Sequence, residues 1–94
     1  MLNISVGDDG TVFLKGRFDG SQAEEARDVF LDVRRSCLVN FAELDYISSA
    51  GLGVLLEAQQ RLQSSGHELR LTSMNRHTRL VFELAGFDTI FKIE

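Results

Sequence analysis

The run from Asn40 to Leu56 holds the residues best placed to do chemistry. Two serines, Ser48 and Ser49, lead directly into Ala50-Gly51-Leu52-Gly53-Val54-Leu55-Leu56, a glycine-spaced amphipathic stretch. A helix beginning there presents unpaired backbone N–H groups and the positive end of its dipole. A serine hydroxyl in that position can cap the helix. It can also carry a phosphate, whose charge the same N–H groups stabilise. The spacing leaves both roles open for Ser49, with Ser48 as the second candidate, and a capping serine can itself be a substrate. A helical glycine costs about 1 kcal/mol relative to alanine. Gly51 and Gly53 are therefore expected to keep the first turn clear for the close approach of another backbone. A phosphate on Ser49 would add about −1.5 to −2 charge, which the helix end tolerates and an acidic partner surface does not.

Other chemistries find less support. A nucleophile elbow needs Gly-x-Ser-x-Gly, and Ile47 stands where the first glycine belongs. A nucleotide loop needs a third glycine or a following Gly-Lys-Ser/Thr, and Gly51-Leu52-Gly53 has neither. His67 and His77 each stand in a polar context, and the carboxylates are scattered, so no metal site, cofactor or paired-carboxylate catalysis is expected. The chain reads as a binding protein and not as an enzyme.

Several elements must position the serine turn. Leu2 to Val6 alternates as a half-buried strand, Gly7-Asp8-Asp9-Gly10 forms a turn, and Thr11 to Gly16 completes a hairpin. Ala23, Ala26, Val29, Phe30 and Val33 recur at helical spacing and predict a helix from about Gln22 to Arg35. Cys37 to Phe41 reads as a short central strand, with Ala42 to Ile47 as the turn beyond it. A second helix is expected from about Ala50 to Ser64, with Gln59 interrupting its apolar stripe and Ser65-Gly66 closing it. Glu68 to Thr72 alternates as a strand. Asn75 caps a third helix through Leu84, Gly86 stops it, and Phe87 to Ile93 supplies a closing apolar segment. Right-handed crossovers then give an α/β fold: a small mixed sheet of four to five strands with three or more helices mainly on one face.

Ninety-four residues allow one domain, spanning 1–94. The net charge of −4 and the lack of a basic run argue against nucleic acid. No apolar run reaches the ~20 residues that cross a bilayer, and Met1 to Val6 has no signal-peptide pattern. The single cysteine, Cys37, is expected as a buried thiol. These features point to the cytoplasm, without membrane insertion. No exposed apolar stripe is evident, so a monomer is expected.

The sequence resembles the STAS domain family of bacterial anti-sigma factor antagonists. The signature Asn-Leu, turn, Asp-Ser-Ser/Thr-Gly-Leu-Gly is similar to Asn40-Phe41, Ala42 to Ile47, then Ser48-Ser49-Ala50-Gly51-Leu52-Gly53. The upstream Leu-x-Gly-x-Leu-Asp element is matched by Leu14-Lys15-Gly16-Arg17-Phe18-Asp19, and the C-terminal helix-Gly-aromatic pattern by Val81 to Ile93. The resemblance implies phosphorylation at Ser49 by an anti-sigma factor that is an ATP-dependent serine kinase. It implies that the unphosphorylated form binds this kinase, and that a metal-dependent serine phosphatase resets the switch. Asp19 matches the acidic residue that aids kinase contact. Asp45, Ser48, Ala50, Gly51 and Gly53 complete the implied partner surface. Two positions depart from the signature: Ser48 replaces its aspartate, and Ala50 its second hydroxyl residue. Asp45, three residues before Ser48, offers a substitute charge. Related STAS domains that dock constitutively in transport complexes supply the alternative function.

Overall fold

The computed structural model describes residues 2–94. Leu2–Val6 (β1) and Val12–Phe18 (β2) form an antiparallel hairpin. Its turn is closed by Gly10 N–H donating to Gly7 O (3.0 Å) and Gly7 N–H donating to Thr11 O (2.8 Å). Gly10 sits at φ 87°, a backbone region that side chains disfavour. Cys37–Ile47 (β3), Leu69–Thr72 (β4) and Lys92–Ile93 (β5) extend the sheet in parallel, giving the order β1-β2-β3-β4-β5. The helices are Ala23–Leu31 (α1), Ser49–Gln63 (α2) and Arg76–Leu84 (α3), with 3-10 turns at Gly20–Gln22 and Phe87–Thr89.

One face of the sheet is buried. Val12, Leu14 and Phe18 of β2, Val39, Phe41, Leu44 and Ile47 of β3, and Leu69 and Leu71 of β4 form its core side. They meet Ala26 and Phe30 of α1, Leu55 and Leu62 of α2, and Phe82 of α3. Phe82 packs edge-on to Phe41 and Phe91, with ring centres 5.8 and 5.9 Å apart. The alternate residues Phe13, Lys15, Glu43 and Arg70 are exposed on the opposite face. This is the mixed five-stranded sheet with three helices that the pattern predicts.

Two elements differ from expectation. β3 does not stop at Phe41 but runs on to Ile47, through the segment read as a turn. Its inward residues Phe41, Leu44 and Ile47 recur every third position because β3 bulges twice against β2. That spacing breaks the two-residue alternation of a flat strand. The Asn40 side chain accepts the Ala42 N–H at 2.8 Å and so satisfies a backbone group at the first bulge. α1 ends at Leu31 rather than Arg35. Arg61, reaching from α2, donates to the Phe30 and Val33 carbonyls and holds the chain as it leaves the helix.

Gln59, which interrupts the α2 stripe, is 1% exposed and fully engaged. Its side chain donates to Ile90 O (3.0 Å) and accepts Leu69 N–H (2.7 Å), tying α2 to β4 and to the C-terminal turn. Asn75 caps α3 by accepting Thr78 N–H at 2.7 Å, and Gly66 and Gly86 adopt left-handed conformations at the helix ends, as anticipated. Cys37 is half-buried, and burial raises its thiol pKa. Among the described residues no helix is long and apolar enough to cross a membrane.

Candidate functional site at the paired ends of β2 and β3

β2 and β3 end side by side, Phe18 opposite Ile47, and Ser48 N–H donates to Phe18 O at 2.9 Å. That bond places the Asp19 loop next to the start of α2. The Asp19 carboxylate accepts from Ser21 N–H (2.9 Å) and from the Ser21 hydroxyl (2.6 Å), while Asp19 N–H donates to the Gln22 side chain (3.2 Å). This reciprocal capping box fixes the loop. The hydrogen bonds from Ser21, its hydroxyl foremost, lower the Asp19 pKa below the ordinary value, so Asp19 is charged at neutral pH. A Cβ placed on Gly20 would lie 3.9 Å from the Ala50 Cβ, so the loop rests against the first turn of α2.

The two serines divide the helix start between them. Ser48 is the N-cap, in extended conformation, and its Oγ accepts Gly51 N–H at 3.4 Å. That distance is long for such a bond and marks a weak cap. Ser49 is the first helical residue and is exposed. Of the two roles left open by the sequence, capping falls to Ser48. The Ser49 hydroxyl stands outside the cap.

The glycines also part company. Gly51 is buried, and a Cβ there would lie 2.8 Å from Ile47 Cγ1 and 3.0 Å from Phe18 Cγ. Its missing side chain lets α2 lie against the β2–β3 ends. It is an internal packing position, which corrects its assignment to the partner surface. Gly53 is half-buried and faces open space, and a methyl group added there would meet nothing within 4 Å. Asp45 is exposed in the second bulge of β3, set back from the helix start. Next to it, the Arg17 guanidinium lies over the Tyr46 ring, 4.2 Å from its centre. This pair was not legible in the sequence, because only the bulged register brings Arg17 opposite Tyr46. Asp19, Ser48, Ser49 and Ala50 are thus gathered at one edge. Among the described residues no cluster of His, Cys, Asp or Glu is placed to hold a metal.

The sequence matches the family described as "Mlab, STAS domain" over residues 4–93. The chain belongs to the STAS domain family. BtrV of Bordetella bronchiseptica, named as an anti-sigma factor antagonist, is 43% identical over 72 residues, 77% of this chain and 61% of BtrV. This STAS domain therefore spans about three-fifths of that relative's length. A Thermotoga maritima structure described as an anti-sigma factor antagonist superposes with a TM-score of 0.82 at 24% identity, covering 99% of this chain and 85% of that one. The Bacillus cell fate determinant SpoIIAA, in its phosphorylated form, superposes with a TM-score of 0.72 at 19% identity, covering 100% and 91%. At these identities the two structures establish the STAS fold.

Proposed function

We propose that this STAS domain is an anti-sigma factor antagonist, switched by phosphorylation of Ser49. The observation that carries the reading is the position of Ser49: exposed, at the first turn of α2, and relieved of capping by Ser48. A modifying enzyme can reach its hydroxyl without dismantling the cap. The 43% identical relative named as an anti-sigma factor antagonist supports the general activity. SpoIIAA, of the same fold, exists in a phosphorylated form.

In this reading the unphosphorylated domain binds an anti-sigma factor serine kinase through Asp19, Ser48, Ala50 and Gly53, with Asp45 at the rim. Phosphate on Ser49 adds about −1.5 to −2 charge beside the ionised Asp19. The N–H groups at the head of α2 accommodate that charge within the domain. A partner surface bearing acidic groups is repelled, and the complex separates. A metal-dependent serine phosphatase restores the binding form. The domain itself performs no catalysis.

One feature favours constitutive docking in a larger complex: Ser48 occupies the signature's aspartate position, removing a charge beside the switch. Binding titrations separate the two readings. The cognate kinase should bind wild type and Ser49→Ala, and bind Ser49→Asp at least tenfold more weakly. Equal affinity for all three would sink the switch and leave constitutive docking.

A further inference from the structure

We infer that the outer edge of β1 pairs with the β1 edge of a second copy of this chain, forming a weak two-fold dimer. The two edges of the sheet are unlike. β5 is two residues long and carries Lys92, whereas β1 is five residues long with the sequence Leu-Asn-Ile-Ser-Val. It has no charge, no proline and no bulge, and its register against β2 is regular from Leu2–Gly16 to Val6–Val12. Charge, proline and bulges are the usual protections of an unpaired edge. β1 has none of them.

The direction of its backbone groups follows from the turn. Gly7 N–H donates to Thr11 O, so Gly7 and Thr11 form a hydrogen-bonded pair. Such pairs alternate along an antiparallel ladder, so Ser5–Phe13 and Asn3–Lys15 are bonded as well. The N–H and C=O groups of Leu2, Ile4 and Val6 therefore point away from β2, towards the open edge. A second β1 related by a two-fold axis at Ile4 sets Leu2 opposite Val6 of the other copy and Ile4 opposite its own counterpart. Every outward group then meets an outward group, with two hydrogen bonds in each of the three pairs.

The side chains agree with the same register. Apolar Leu2, Ile4 and Val6 face apolar partners on the helix side, while Asn3 faces Ser5 on the other. Val6 is 56% exposed in the single chain and becomes covered by Leu2 of the second copy. A slip of one residue in either direction loses the hydrogen-bond match. This self-complementarity argues for a second copy over an unrelated extended peptide. A five-residue seam falls short of the roughly 1,200–2,000 Å² of stable complexes, so association is weak and concentration-dependent. Glu25 of α1 flanks the edge, and each copy carries a net charge of −4, so added salt should tighten the dimer by screening.

Sedimentation and amide exchange on the unmodified chain, from micromolar to near-millimolar concentration, test this. We expect a rising dimer fraction, with the Ile4 and Val6 amides gaining protection while those of Asn3 and Ser5 are protected throughout. Val6→Pro removes an outward donor without touching a β1–β2 bond, and Val6→Lys places a charge on the seam; both should stay monomeric with unchanged melting temperature. A wild type that remains monomeric throughout overturns the inference. So does a dimer that survives both variants, loosens with salt, or is broken by Leu84→Lys on α3 instead.

Discussion

At the residue scale, the account turns on two adjacent serines with different duties. Ser48→Ala should lower stability by about 0.5–1 kcal/mol, the low end for an N-cap because its hydrogen bond is 3.4 Å long. Ser49→Ala should change stability by less than about 0.5 kcal/mol, since its exposed hydroxyl serves no cap. Denaturant midpoints read both, and a larger loss at Ser49 would reverse the assignment. The glycines offer a second contrast. Gly51→Ala forces a methyl into Ile47 and Phe18 and should cost about 1–3 kcal/mol. Gly53→Ala enters open space, so helix propensity should make it neutral or stabilising by up to about 1 kcal/mol. Asp19 adds a pH signature. Because its folded pKa is lowered, its contribution is complete above the unfolded carboxylate value and is lost as pH falls through the folded one. Asp19→Asn should therefore flatten the acid limb of a stability–pH curve below about pH 4, leaving the neutral region's slope unchanged.

At the scale of elements, β3 and α2 carry the site, and they were not equally legible. The serine turn, the glycine-spaced helix and its closing Gly66 could be read directly, because caps and breakers are local signals. The bulged half of β3 could not. Phe41, Leu44 and Ile47 are inward at three-residue spacing, which resembles neither a flat strand nor a helix. The end of α1 was overrun for a related reason: Val33 continues the apolar spacing, but Arg61, distant in sequence, takes its carbonyl outside the helix. Gln59 appeared as a flaw in the α2 stripe and proves to be a buried bridge between Leu69 and Ile90. Gln59→Leu should therefore destabilise the fold by about 1–3 kcal/mol despite its greater hydrophobicity, since it strands a buried N–H and a carbonyl. A gain in melting temperature would contradict that role.

At the scale of the whole molecule, the architecture is a one-sided sheet, with helices on the apolar face and charge on the other. Lys15–Glu43, Arg70–Glu94 and Lys92–Glu68 form exposed ion pairs at 4.0, 3.2 and 3.3 Å. Such pairs contribute about 0–1 kcal/mol each, so they dress the open face without fixing the fold. What organises the molecule is the joint ending of β2 and β3, which brings Asp19 beside the first turn of α2. Topology could be anticipated from the order of strands and helices, but that meeting needed the register. The central claim is that Ser49 is a reversible phosphate acceptor on this edge. Phosphopeptide mapping of the protein purified from its native host, beside a Ser49→Ala strain, tests it most directly. The account predicts phosphate on Ser49 that varies with growth state and disappears in the Ser49→Ala strain. An unmodified Ser49 under every condition, or phosphate confined to Ser48, would contradict it.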